Sequence, residues 1–191
     1  MKLNPLFCFL LLFYCLAFRP APVVYRVDTA ASKLTWTGYA EVGAWAPSGT
    51  VQLRQGQLEY DQKTLRNGRF EVDMRTIAHT NADLQNHLRG TDFFAVEQYP
   101  TAVFELREVV GAEAVGQLTV RGIARPLRFP VRVTREAGSS LRVQGTASVD
   151  RTQFGVQFNS SSFFQNLGDH AIRNDFQLAF DIVAAPALAR R

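Results

Sequence analysis

The sequence predicts an all-β protein: a single antiparallel β-barrel of at least eight strands, with one or two short helical segments. Three observations predict this fold. Apolar and polar residues alternate with a period of two along most of the chain. At least eight such segments follow one another, which is enough to close a barrel. No long helical pattern alternates with them, which excludes a parallel α/β sheet.

Each alternating segment predicts a strand with one buried face and one wet face. The residues expected to point inward are, in chain order, Leu34 and Trp36, Val51 and Leu53, Phe70, Val72 and Met74, Ala102, Phe104 and Leu106, Leu118 and Val120, Leu127, Phe129, Val131 and Val133, Leu141, Val143, Ala147 and Val149, and Phe176, Leu178, Phe180 and Ile182. Glycine, asparagine and proline between the segments predict turns at residues 66–68, 111–112, 124–126 and 137–139.

One break in the alternation predicts a short helix. Thr80 or Asn81 is placed to cap its first turn, and Leu84 and Leu88 are four residues apart on one face. Gly90 is expected to end it.

The first 21 residues differ from the rest of the chain. Lys2 gives a positive start, and an apolar run of 13 residues follows at 6–18. A membrane-spanning helix needs roughly 20 apolar residues. The pattern is that of a signal peptide. We therefore expect a signal peptide at 1–21, a barrel domain at 22–187, and an exported, periplasmic or extracellular protein with no permanent membrane span. Both cysteines, Cys8 and Cys15, would leave with the leader.

The charge pattern does not indicate nucleic-acid binding. The chain carries a formal charge of only +4, and basic residues such as Arg121, Arg125 and Arg128 are scattered singly. This spacing is typical of solvated strand faces.

The residues carry no signature of catalysis. There is no G-x-S-x-G nucleophile motif, and His79, His87 and His170 lie in no metal-binding spacing. We expect no enzyme activity, no metal and no cofactor. The adjacent Asp150 and Arg151 are interpreted as a local ion pair that pins a strand end.

Three segments resemble the YceI-like family of lipid-binding proteins. They are residues 87–94 (HLRGTDFF) followed by 99–105 (YPTAVFE), residues 116–127 (GQLTVRGIARPL), and residues 150–156 (DRTQFGV). One departure is that many relatives have a histidine before the glycine that opens the second long strand, whereas Pro47 and Ser48 precede Gly49 here. The resemblance implies a lipocalin-like barrel of eight antiparallel strands that holds a polyisoprenoid or similar lipid, and it implies no chemistry. By analogy within the family, it also suggests a homodimer.

The predicted function is to hold a long-chain apolar lipid (polyisoprenoid, quinone-like or fatty-acyl) inside the barrel, as a carrier, store or sensor. One alternative is a barrel or sandwich scaffold with a filled core that binds a protein partner, and another is a small lipid hydrolase. The candidate lipid contacts are inward-facing apolar residues and two adjacent phenylalanine pairs in non-strand segments: Trp36, Phe70, Val72, Phe93, Phe94, Phe104, Phe129, Phe163 and Phe164.

Overall fold

The computed structural model describes residues 21–187. The expected leader therefore lies, except for its last residue, outside the described residues. Within 21–187 the chain forms eight strands, one α-helix and three short 3₁₀ helices. The strands are β1 Val23–Thr37, β2 Ser48–Tyr60, β3 Leu65–Ala78, β4 Thr101–Val110, β5 Glu113–Val120, β6 Ile123–Arg135, β7 Leu141–Asp150 and β8 Asp175–Pro186. The helix is α1 Ala82–Arg89, and the 3₁₀ helices are Ala137–Ser139, Arg151–Phe154 and Gly168–His170.

The eight strands close into a barrel with up-and-down connectivity. Each strand pairs antiparallel with the next one in the sequence, and β8 pairs with β1 to complete the cylinder. The predicted fold class is confirmed. Closure pairs every strand on both sides, although β6 and β7 pair with each other only over residues 131–135 and 141–145.

The two ends of the barrel differ because an up-and-down chain returns to the same end after every second strand. Connections 61–64, 111–112 and 136–140 lie at one end, which we call the turn end. Connections 38–47, 79–100, 121–122 and 151–174 lie at the other, which we call the loop end. The loop end therefore carries α1 and all the long connections.

The turn end is packed with side chains. The residues there that are at most 3% exposed are Tyr25, Leu58, Leu65, Ala114, Leu141 and Ala184. They meet across neighbouring strands, since Tyr25 is opposite Leu58 and Leu141 is opposite Ala184. This end of the barrel is closed by its own core.

The predicted helix is confirmed, with Asn81 as its cap. The Asn81 side chain accepts a hydrogen bond from the backbone N–H of Leu84 at 3.0 Å, and α1 ends at Gly90. This bond satisfies one of the free N–H groups of the first turn.

Two predicted turns are wrong. Residues 66–68 lie inside β3, where Asn67 has a φ of 47° but pairing with β4 continues. Residues 124–126 lie inside β6, and the turn before it is formed by Arg121 and Gly122, whose φ values are both positive. Pro126 is tolerated because it lies in the part of β6 that pairs only with β5, so its missing N–H breaks no ladder bond to β7.

Candidate functional site

The barrel interior contains two cavities. The central cavity has a volume of about 100 Å³, and its wall consists entirely of Leu, Ile, Val, Ala and Phe side chains from all eight strands. The loop-end cavity has a volume of about 130 Å³ and lies between the strand ends, α1 and the long connections. Since a cavity needs roughly 10–15 Å³ to hold one water molecule, each has room for a short length of apolar chain.

The two cavities lie in line along the barrel axis. On six of the eight strands, β1 to β5 and β8, neighbouring inward positions line one cavity and then the other. Leu34 and Phe180 line the central cavity, for example, whereas Trp36 and Leu178 line the loop-end cavity. The inward positions of β8 from Phe176 to Ile182 extend over about 20 Å at roughly 3.4 Å per residue. We call this combined space the bore.

Four phenylalanine rings form a belt around the central cavity. Phe104 lies 6.4 Å from Phe70 and 5.1 Å from Phe129, measured between ring centroids, and Phe129 lies 5.5 Å from Phe180. The rings line the wall rather than fill the centre because three of them, Phe70, Phe104 and Phe180, lie against glycines. A Cβ atom at Gly145 would come within 2.6 Å of the Phe180 ring.

Small residues account for the remaining space. Ala114 and Ala147 line the central cavity, and Ala102 lines the loop-end cavity; each is at most 5% exposed. An inward alanine leaves a gap where a leucine would reach toward the axis. An eight-stranded barrel is just wide enough to be filled by large side chains, so these alanines and glycines are what keep the bore open.

The loop-end cavity is apolar in most of its wall but includes one buried cation. The side chain of Arg151 is 3% exposed, and its guanidinium donates hydrogen bonds to the backbone carbonyls of Arg173, Val156 and Ile172 at 3.0–3.1 Å. Its Cζ lies 5.6 Å from the centre of the Phe93 ring. Burial lowers the pKa of Arg151, and the neighbouring Asp150 charge opposes that shift.

The predicted ion pair between Asp150 and Arg151 is wrong. Asp150 instead caps the 3₁₀ helix that follows it, accepting hydrogen bonds from the backbone N–H of Thr152 at 2.9 Å and from its hydroxyl at 2.6 Å. Because its carboxylate is used in this way, Arg151 turns inward and is held by backbone carbonyls.

The candidate lipid contacts divide into three groups. Phe70, Val72, Phe104 and Phe129 line the central cavity. Trp36, Phe93 and Phe94 line the loop-end cavity. Phe163 and Phe164 line neither, and are 50% and 49% exposed.

Phe163 and Phe164 belong to an exposed apolar rim at the loop end. Their backbone N–H groups both donate to the carbonyl of Ser160, and the next hydroxyl, Ser161 Oγ, donates to Glu41 Oε2 at 2.6 Å. Connection 38–47, to which Glu41 belongs, also carries Val42 and Trp45, which are 60% and 54% exposed. The rim, defined as Val42, Trp45, Phe163 and Phe164, reaches the bore because Trp45 also lines the loop-end cavity.

Sequence reasoning missed several residues that shape the bore. Phe176 and Phe180, which strand phase predicts to point inward, line the loop-end and central cavities, although the candidate contacts do not include them. Spacing assigns His87 no function, yet its ring lies 4.4 Å from Phe158 and 5.3 Å from Phe93, measured between centroids, and lines the loop-end cavity.

Over residues 21–187, no cluster of three or more His, Cys, Asp or Glu side chains is arranged to hold a metal ion. In the same part of the chain, no helix has the length and apolar character needed to cross a membrane.

Comparison with known proteins agrees with this architecture. Residues 25–184 match the family model of the YceI-like domain. Over 92 residues the chain is 30% identical to a UPF0312 protein of Staphylococcus aureus, which covers 45% of this chain and 54% of that protein. The match thus spans about half the length of that relative. A UPF0312 protein of Vibrio cholerae is 24% identical over 164 residues, which cover 76% of this chain and 84% of that protein.

Solved structures share the fold. BcnA of Burkholderia cenocepacia superposes with a TM-score of 0.67 at 21% identity, over 83% of this chain and 99% of that chain. A polyisoprenoid binding domain from Saccharophagus degradans, implicated in plant cell wall breakdown, superposes with a TM-score of 0.64 at 12% identity, over 86% and 99% of the two chains.

Proposed function

The chain belongs to the YceI-like domain family, and from that premise we propose that it binds one long apolar lipid along the bore of its barrel. The observation that carries this proposal is the pair of in-line cavities, one of them walled entirely by apolar side chains. Unfilled apolar space of this kind destabilises a protein by about 24 cal/mol per Å³. For cavities of about 100 and 130 Å³ this amounts to about 2 and 3 kcal/mol.

The dimensions favour a long, slender ligand. Burying five carbons at roughly 0.8 kcal/mol each contributes at most about 4 kcal/mol per isoprene unit. Association costs roughly 4–15 kcal/mol, so about two to four buried units are needed to offset it. The span of β8, about 20 Å, projected on the axis at the usual strand tilt of about 35–45°, gives a bore of about 15 Å, which suits such a chain, and the similarly folded domain from Saccharophagus degradans is described as polyisoprenoid-binding. A polyisoprenoid is therefore the first candidate, ahead of a quinone-like or fatty-acyl lipid.

The proposed binding residues are the seven candidates that line the bore. Phe163 and Phe164 are proposed to contact the lipid only during entry, since they belong to the exposed rim. The proposed setting is outside the cytoplasm, after removal of residues 1–21, and the proposed role is that of a carrier, store or sensor. The homodimer stays a prediction from family analogy. We propose binding without catalysis.

The competing hypothesis of a protein-binding scaffold requires a core filled by its own side chains. The open bore favours the lipid instead. The direct test is native mass spectrometry of the protein purified from its own host, followed by organic extraction and identification of the extracted lipid. A stoichiometric long-chain lipid is expected. A mass equal to the bare chain, together with no uptake of added isoprenoids, would refute the proposal and support the scaffold.

A further inference from the structure

Two buried polar atoms in the loop-end cavity have no hydrogen-bond partner. They are Nε1 of Trp36 and Nε2 of His87, which have no bond to any of the described residues. Both side chains line the loop-end cavity. A buried polar atom left without a partner costs about 1–3 kcal/mol, and native proteins contain few of them. That two occur on the wall of one cavity points to a ligand that supplies the missing bonds.

The orientation of the Trp36 indole is restricted by its surroundings. The indole lies over Gly49 on β2, where a Cβ atom would come within 2.5 Å of the indole Cζ2, and it contacts the His79 ring at 5.8 Å between centroids. The N–H cannot readily turn to another partner, because the ring is confined between these two neighbours.

Charge favours a hydrogen-bond acceptor at this end of the bore. Arg151, the buried cation on the cavity wall, is surrounded by backbone carbonyls and forms no ion pair with any described carboxylate. Its charge and the indole N–H both attract electron-rich oxygen. The central cavity, by contrast, has only hydrocarbon on its wall. The two parts of the bore thus differ: the loop end has hydrogen-bond donors on its wall, and the centre has none.

The same surroundings disfavour an anionic head. Asp175 also lines the loop-end cavity, and its carboxylate engages Arg173 through both oxygens at 3.0–3.1 Å. The second cation of the cavity is therefore already neutralised, and the hydrogen bonds of Arg151 are directed to carbonyls. A phosphate would meet one buried cation and one carboxylate, which does not compensate for its desolvation.

We propose that the loop-end cavity is a head-group site for a lipid with an uncharged oxygen, either a hydroxyl or a carbonyl. The oxygen accepts a hydrogen bond from Trp36 Nε1, and His87 Nε2 forms the second bond. The apolar tail extends into the central cavity. This inference rests on the proposed function, because it concerns the chemistry of the lipid that the bore holds.

The test compares lipids that share one branched carbon skeleton. The probes are phytanol, its diphosphate, and phytane, which is the same saturated skeleton without the oxygen; menaquinone with a four-isoprene tail supplies a carbonyl. Each is titrated into delipidated protein and the bound fraction is measured by native mass spectrometry. Wild-type protein is expected to bind the alcohol and the quinone more tightly than phytane, and to bind the diphosphate least well.

The decisive quantity is the ratio of affinities for the alcohol and for phytane. Trp36→Phe keeps an aromatic ring but removes the N–H, and it is expected to lower this ratio by about 3- to 10-fold, the worth of one hydrogen bond. His87→Phe is expected to lower it by a similar factor. His170→Phe makes the same chemical change as His87→Phe at an exposed imidazole that lines neither cavity, and the ratio is expected to stay within about twofold.

The outcomes separate this inference from the proposed function. If wild-type protein binds none of the four probes, the lipid-binding proposal itself fails. If phytane binds but the alcohol binds no better, or if Trp36→Phe weakens both equally, lipid binding stands and the head-group site is refuted. Tighter binding of the diphosphate than of the alcohol refutes the uncharged head.

Discussion

Ala147→Leu addresses the open bore directly, because Ala147 lies where the two cavities meet. It is 3% exposed on β7, lines the central cavity, and pairs with Leu178 on β8, which lines the loop-end cavity. A leucine adds three carbons to apolar space. At roughly 0.8 kcal/mol each, they are expected to stabilise the lipid-free protein by about 2 kcal/mol. For a chain of this size that is a rise in Tm of about 4–8 °C.

The same substitution is expected to weaken lipid binding. A leucine at the junction displaces at least one isoprene unit from the bore, which removes up to about 4 kcal/mol of burial. This corresponds to roughly a thousandfold loss of affinity. Stability and affinity thus change in opposite directions, which simple damage to the fold does not produce.

The assay measures Tm of delipidated protein by calorimetry and bound lipid by native mass spectrometry. Ala179→Leu is the matched control, since Ala179 is the exposed neighbour of Phe180 on β8 and points away from the bore. Ala114→Leu repeats the test elsewhere in the central cavity. If both inward variants retain lipid with wild-type affinity, the lipid does not occupy the bore. A lower Tm in both would refute the reasoning that the space is open, because overpacking a filled core costs about 1–3 kcal/mol.

Three further predictions concern the packing of the wall, the rim and the buried cation. Gly145→Ala is expected to lower the free energy of unfolding by about 1–3 kcal/mol in denaturant titrations, because the new Cβ would clash with the Phe180 ring and with the carbonyl oxygen of Pro130. A variant as stable as the wild type would contradict this. The double variant Phe163→Ser and Phe164→Ser is expected to slow lipid uptake from vesicles severalfold without changing the final bound fraction. Its control is Val110→Ser, a substitution of a similarly exposed apolar residue at the turn end. Equal rates in all three proteins would remove the rim from the entry route. Arg151→Met is expected to lower the free energy of unfolding by about 2–5 kcal/mol, since one buried and two part-buried carbonyls lose their donor. A loss below about 1 kcal/mol would show that other groups replace it.

The strands could be predicted because their signal is local. An inward residue every second position marks a strand whatever its neighbours are, and this rule identified all eight. The positions of turns were predicted less well than the strands, since glycine and proline also occur inside strands. Gly68 lies in β3 beneath the side chains of Phe70 and Leu106, and Pro126 lies in β6 opposite Gln117. Neither residue marks a turn here.

The bore itself could not be predicted from local pattern. Its volume depends on which aromatic ring lies over a glycine of the neighbouring strand, as the Phe180 ring lies over Gly145. The register between the two strands determines that pairing, and register cannot be read from a single strand. Arg151 was misjudged for a related reason. Two of its partners, the carbonyls of Ile172 and Arg173, are more than 20 residues away in sequence. The adjacent Asp150 was therefore the only partner that local sequence could suggest.

The asymmetry of the barrel has a consequence for how a lipid would be handled. Because every long connection lies at the loop end and residues such as Leu58 and Leu141 pack the turn end, we expect a lipid to enter at the loop end. A lipid that enters tail first leaves its head beside Trp36 and His87, so entry route and head-group chemistry favour the same orientation. A chain longer than the bore would then protrude at the loop end, among the exposed side chains of the rim. Release to a membrane or to a partner protein would have to proceed from that same end, with the head leaving first.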